Sequence, residues 1–141
     1  MRDLYSNIDV RRGFSPAAAV TDNTAYVSQI IDMQGFSAMV FLIQLGAVAD
    51  VDATFTVLIE EGDDSGLSDN AAVADTDLNG TEALVSFDFA DDNLARKIGY
   101  HGSKRYVRMT ITPSGNSSGD FFMSASAILH RAAQAPIAQL T

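Results

Sequence analysis

The 141-residue sequence has no cysteine, no tryptophan, three prolines and two histidines. Without cysteine there is no disulfide framework, no thiolate nucleophile and no cysteine-ligated zinc, so stability has to come from packing and from contacts with other chains. Long apolar runs are missing as well: the longest, Ala38 to Ile43, has six residues, far below the roughly 20 that span a bilayer. Residues 1–14 have no apolar stretch of the kind that drives secretion and carry an acid at Asp3. An intracellular product is therefore expected. No Gly-rich loop is followed by Lys-Ser or Lys-Thr, which argues against a nucleotide hydrolase.

Positive charge is scarce and unevenly placed. From residue 13 to residue 95 there is no Lys or Arg, yet that span holds 15 of the 18 acids, in a chain of net charge -9. The cations sit at Arg2, Arg11 and Arg12, in a cluster from Arg96 through Lys97, Lys104 and Arg105 to Arg108, and at Arg131. The overall charge repels nucleic acid, whose phosphates need clustered cations. The same segregation suits complementary acidic and basic patches that meet between protein chains. Arg96, Lys97, Lys104, Arg108, Arg11 and Arg12 are the expected partner-binding residues.

What is present is mostly β pattern. Residues 105–112 alternate, with Arg105, Val107, Met109 and Ile111 on one face and Tyr106, Arg108, Thr110 and Thr112 on the other, and Pro113 is expected to end the ladder. Ala53 to Glu60 alternates in the same way. Ala38 to Leu45 is apolar almost throughout, which fits a central strand covered on both faces. Further strands are expected at Tyr26 to Ile31, Leu84 to Phe89 and Phe121 to His130. Ser114 to Asp120 is expected as the turn of a hairpin, and Asp91 to Lys97 as one helical turn with acid first and bases last. A short helix opening at Ser15-Pro16 is a further expectation. The acidic stretch Glu61 to Gly80 is too long for a hairpin turn, and Leu67, Val73 and Leu78 are expected to tack it to the domain.

Together these signals give an all-β protein: a single antiparallel β-sandwich or jelly-roll-like domain over residues 21–131. An extended, partly apolar N-terminal arm (residues 1–20) precedes it and a tail (132–141) follows. The arm is expected to lie along its own domain or on a neighbouring molecule.

Chemistry-bearing motifs are thin. Asp75, Asp77, Asn79 and Gly80 reproduce the start of a calcium loop, but the closing position, which needs a bidentate glutamate, is Ser86, so an acidic turn is the expected reading. His101 and His130 are remote in sequence and give no basis for a catalytic triad or a metal site. No enzyme activity and no cofactor are expected. Tyr26, Tyr100 and Tyr106 are the aromatics that a carbohydrate-binding module would use as stacking platforms.

Three stretches, IIDMQGFSAMVFLIQLG (Ile30 to Gly46), FTVLIEEGDDSGLSD (Phe55 to Asp69) and IGYHGSKRYVRMTITPSGN (Ile98 to Asn116), resemble a group of small virion proteins of tailed bacteriophages and prophages, over about Tyr26 to Leu129. The resemblance implies a product of the head-gene region and, with it, a capsid decoration or cement protein found in the virion after synthesis in the host cytoplasm. It implies the major capsid protein or other virion proteins as partners, a homo-oligomer, and no nucleic acid or membrane partner. It supplies no catalytic residues. The competing expectations are a head-tail joining or tail component, and a carbohydrate-binding β-sandwich module.

Overall fold

The alternating stretches build two antiparallel sheets facing each other in a computed structural model that describes residues 3–118 and 120–138. Six longer strands carry most of the burial: β1 (Asp9–Phe14), β4 (Phe36–Leu45), β5 (Thr54–Gly62), β9 (Ala95–Tyr100), β10 (Tyr106–Ser114) and β11 (Met123–Ala132). Five two-residue strands complete the ladders: β2 (Tyr26–Val27), β3 (Ile31–Asp32), β6 (Ala71–Ala72), β7 (Leu78–Asn79) and β8 (Phe87–Asp88). The first sheet runs β1-β11-β4-β9-β7. The second runs β2-β10-β5-β6, with β3 also pairing β10 and β8 also pairing β5.

Period-two alternation places Met39, Phe41, Ile43 and Leu45 of β4 on the inner face, beside Ala125, Ala127 and Leu129 of β11. Phe55, Val57 and Ile59 of β5 and Val107, Met109 and Ile111 of β10 come from the facing sheet, and all these side chains are buried in one core. Phe55 stacks on Phe87 at 4.7 Å and meets Phe121 edge-on at the same separation, arrangements that suit the ring quadrupole.

Several local expectations change in three dimensions. Pro113 does not end the ladder; it pairs with Phe55, and Ser114 with Thr54. The amide of Met109 points toward the β2 side, where it donates to Ser28 Oγ. By alternation the nitrogen of Pro113 points the same way, away from β5 and past the Ile111–Tyr26 pair that begins β2, so the missing N–H takes no bond from the β10–β5 ladder. Tyr26 to Ile31 splits into β2 and β3 because Ser28 takes over the pairing: its N–H donates to the carbonyl of Met109. Ser114 to Asp120 is not a hairpin turn but a crossover from the second sheet to the first.

The predicted strand at 84–89 is replaced by the short helix α1 (Glu82–Val85), capped by Thr81 Oγ1, followed by β8. Val85 and Phe87 are buried as expected, but Phe89 is exposed on a following turn. Arg96 and Lys97 lie on β9 instead of closing a helical turn. No helix forms at Ser15-Pro16.

Of the N-terminal arm, the described residues 3–20 lie along the domain, and residues 1 and 2 fall outside the described residues. Asp9–Phe14 pairs with β11 as the edge strand of the first sheet, and Val20 is buried in a bridge to Phe121. The acidic excursion after β5 is held by its own carboxylates: Asp69 accepts from the amides of Asp63 and Asp64, and Asp64 from those of Gly66 and Ser68. Leu67, Val73 and Leu78 are buried and fix it to the domain.

Candidate assembly surface

The cations that stand close together in the sequence are separated by the fold. Lys104, Arg105 and Arg108 belong to the second sheet and its approach, and each meets an acid. Lys104 Nζ lies 2.5 Å from Asp63, and this bond to Asp63 holds the lysine above its ordinary pKa. Arg105 forks onto both oxygens of Asp32 at 2.9 Å and lies over the Tyr106 ring. That fork holds Asp32 below the usual carboxylate range. Arg108 binds Glu60 at 2.9 Å, and Glu60 also accepts from Thr110 and Asn70.

Arg11 sits at the inner edge of the sandwich, bonded to Asp9 and to the carbonyl of Asp32. Arg96 bonds Asp91 and donates to the carbonyl of Leu84, strapping α1 over the exposed edge of β9. These five cations are therefore engaged within the chain. Of the predicted partner-binding residues, only Arg12 and Lys97 project from the sandwich without an acidic partner among the described residues.

Arg12 and Lys97 share one surface, the outer face of the first sheet. The register places Arg12, Ser126, Leu42 and Lys97 in one cross-strand row and Val10, Ile128, Val40 and Gly99 in the next. No outward position from 10 to 12 on β1, 124 to 130 on β11, 38 to 44 on β4 or 95 to 99 on β9 is an acid. Val10 is 56% exposed and Leu42 36%, whereas Ala38 is buried, so the outer face of β4 is covered only in part, contrary to the sequence expectation. The apolar residues of its other face border a groove of about 730 Å³, walled by Leu4 and Ile8 from the N-terminal segment and by Lys97, His130 and Arg131. Burial, with the Arg131 charge adding to it, lowers the pKa of His130, so at neutral pH the groove's charge comes from Lys97 and Arg131. A cationic rim around an apolar floor suits a partner that brings apolar side chains and carboxylates.

The remaining candidates do not converge. Asp75 and Asp77 begin and end a 3-10 turn, and Asn79 is paired with Gly99 in β7. Among the described residues no three His, Cys, Asp or Glu side chains gather as a metal site would need. Tyr100 is buried and donates to Glu61 at 2.5 Å; burial, followed by that bond, raises its pKa. It is unavailable for stacking on a sugar. Against the expectation of no nucleophile-elbow motif, residues 115–119 spell Gly-x-Ser-x-Gly. Its catalytic meaning requires a strand-turn-helix elbow. Here residues 115–118 lie in the crossover after β10, with the amides of Ser117 and Ser118 donating to the buried Asp50 carboxylate.

No family model matches the chain, and no curated protein matches its sequence. Among solved structures it is similar to the PBSX exported protein XepA, with a TM-score of 0.56 and 14% identity. The match covers 94% of this chain and 40% of that one. The likeness is one of fold. This chain spans two fifths of the length of that protein.

Proposed function

We propose that this chain is a non-enzymatic structural protein of a bacteriophage particle, decorating and stabilising the head shell. The observation that carries the reading is the outer face of the first sheet: an apolar, acid-free surface rimmed by cations in a chain of net charge -9. Surfaces of that kind are built to be covered by another protein. The phage setting is supported by the XepA fold, which belongs to a phage-related protein, and by the sequence resemblance to virion proteins of tailed phages. The partner is the major capsid protein or another virion protein. The test is the copy number in purified particles together with the position of the protein in a density map. Hundreds of copies spread over the shell are expected. A handful of copies at one vertex would replace decoration with head-tail joining or a tail role.

A second reading draws on the word "exported" in the neighbour's name: a phage-encoded protein released from the host and absent from the particle. Fractionation of a lysate separates the two, since a virion component co-sediments with particles and an exported protein stays in the supernatant.

A further inference from the structure

A second surface of the chain has the chemistry that the groove lacks. The ridge formed by α1 and the turn after it exposes Leu84 (67%), Phe89 (44%) and Leu94 (43%). The same segment carries Asp88, Asp91 and Asp92: one oxygen of Asp88 accepts from the amide of Ala90 and one of Asp92 from that of Val48, while Asp91 binds Arg96 and the amide of Asp88. Three exposed apolar side chains among carboxylates are the counterpart of an apolar floor among cations. The ridge lies beyond the β9 edge, held there by the Arg96 bond to Leu84. Lys97, the next residue, points to the opposite side and into the groove. The two surfaces therefore belong to one protomer but face different ways, and neither is self-complementary.

We propose that the groove on the outer face of the first sheet is filled by the 82–94 ridge of a second copy of this chain, in a head-to-tail contact that repeats from copy to copy. Leu84 and Phe89 of one copy pack on Leu42, Val40 and Ile128 of the next, while Lys97 and Arg131 meet Asp88 and Asp92. Such a contact is heterologous: each protomer uses one patch to give and another to receive. The proposal rests on the reading of the outer face as a protein interface and assigns that face to a neighbouring copy, so contact with the head shell is made by other surfaces of the assembled copies.

The test uses the purified full-length chain without phage, so its outcome is separate from that of head binding. Leu42→Glu places a carboxylate in the groove, and Leu84→Glu adds one to the ridge. At about 100 µM, where a contact of micromolar Kd is nearly saturated, the unaltered chain is expected to sediment well above its 15.0 kDa monomer mass. Each variant alone is expected to be monomeric. An equimolar mixture is expected to give 1:1 pairs and nothing larger, because one intact ridge still meets one intact groove. Circular dichroism checks that both variants fold; if Leu42→Glu does not, Lys97→Glu replaces it. A monomeric unaltered chain overturns the proposal. So does a Leu84→Glu variant that assembles like the unaltered chain, or a mixture without pairs, since a groove-to-groove dimer would behave in those ways.

Discussion

Adjacent residues of β4 give a direct measure of how differently the two faces of one strand are used. Phe41 points inward and is 1% exposed, whereas Leu42 points outward and is 36% exposed. Phe41→Ala empties a site in the middle of the core and is expected to cost about 3–5 kcal/mol. Leu42→Ala removes three carbons, each contributing about 0.8 kcal/mol when fully buried, and roughly two thirds of that side chain is covered, so about 1.5 kcal/mol is expected in the isolated protomer. The rest of the Leu42 contribution depends on concentration. If the groove binds a second copy, association adds about 2.7 kcal/mol at a hundredfold excess over Kd. Urea unfolding followed by circular dichroism, at low and high protein concentration, reads both terms; the chain has no tryptophan to report by fluorescence. The midpoint of the unaltered protein and of Phe41→Ala should rise with concentration, while that of Leu42→Ala should not. A Leu42→Ala midpoint lowered as far as that of Phe41→Ala at every concentration would refute the reasoning, because the outer face would then be covered by its own chain.

Three further outcomes follow from the same structure. Glu60→Ala leaves the half-buried Arg108 without its carboxylate and frees Thr110 and Asn70, and a loss of about 1–2 kcal/mol is expected in thermal melts, between the values for exposed and buried pairs. Asp50, Asp32, Asp64 and Asp69 are all held below the ordinary carboxylate pKa; for Asp50 the causes are the amides of Ser118, Asp52 and Ser117, with the Ser118 hydroxyl adding a smaller part, and for Asp32 the first is Arg105. Their folded pKa values lie under the unfolded value of about 3.9, so this stabilisation is complete above it and is lost as pH falls through the folded values. Melts from about pH 5 to pH 2 should show that loss, and Asp50→Asn should flatten it; an unchanged slope would remove Asp50 from the account. Gly115 has φ +71°, and a Cβ there would meet the carbonyl oxygen of Asp52 at 2.6 Å. Gly115→Ala should therefore destabilise the crossover at the β10 end by more than about 1 kcal/mol, read as a lower Tm.

The sequence by itself determined the class of fold and the core. Period-two alternation at Val107, Met109 and Ile111 and at Phe55, Val57 and Ile59 commits those side chains to one face whichever strand lies alongside. It also determined that Leu67, Val73 and Leu78 anchor the acidic excursion. The short helix at 82–85 was hidden, because Leu84, Val85, Phe87 and Phe89 fit a strand pattern as well as they fit a helical turn followed by two residues of β8.

The candidate site was legible only in part. Lys97 and Arg12 were named from the sequence, but in company with Arg11 and Arg96, whose carboxylates lie 2 and 5 residues away, and with Lys104 and Arg108, whose carboxylates are brought up from segments 41 and 48 residues away. Linear charge density carries no information about which acid the fold will set against which base. The unbroken apolar run at 38–43 was itself the signal of the outer face: it states that both faces of β4 avoid water. Only the tertiary structure decided that the chain covers one of them with its own second sheet and leaves Leu42 of the other at the surface, beside Val40 and the cations around the groove.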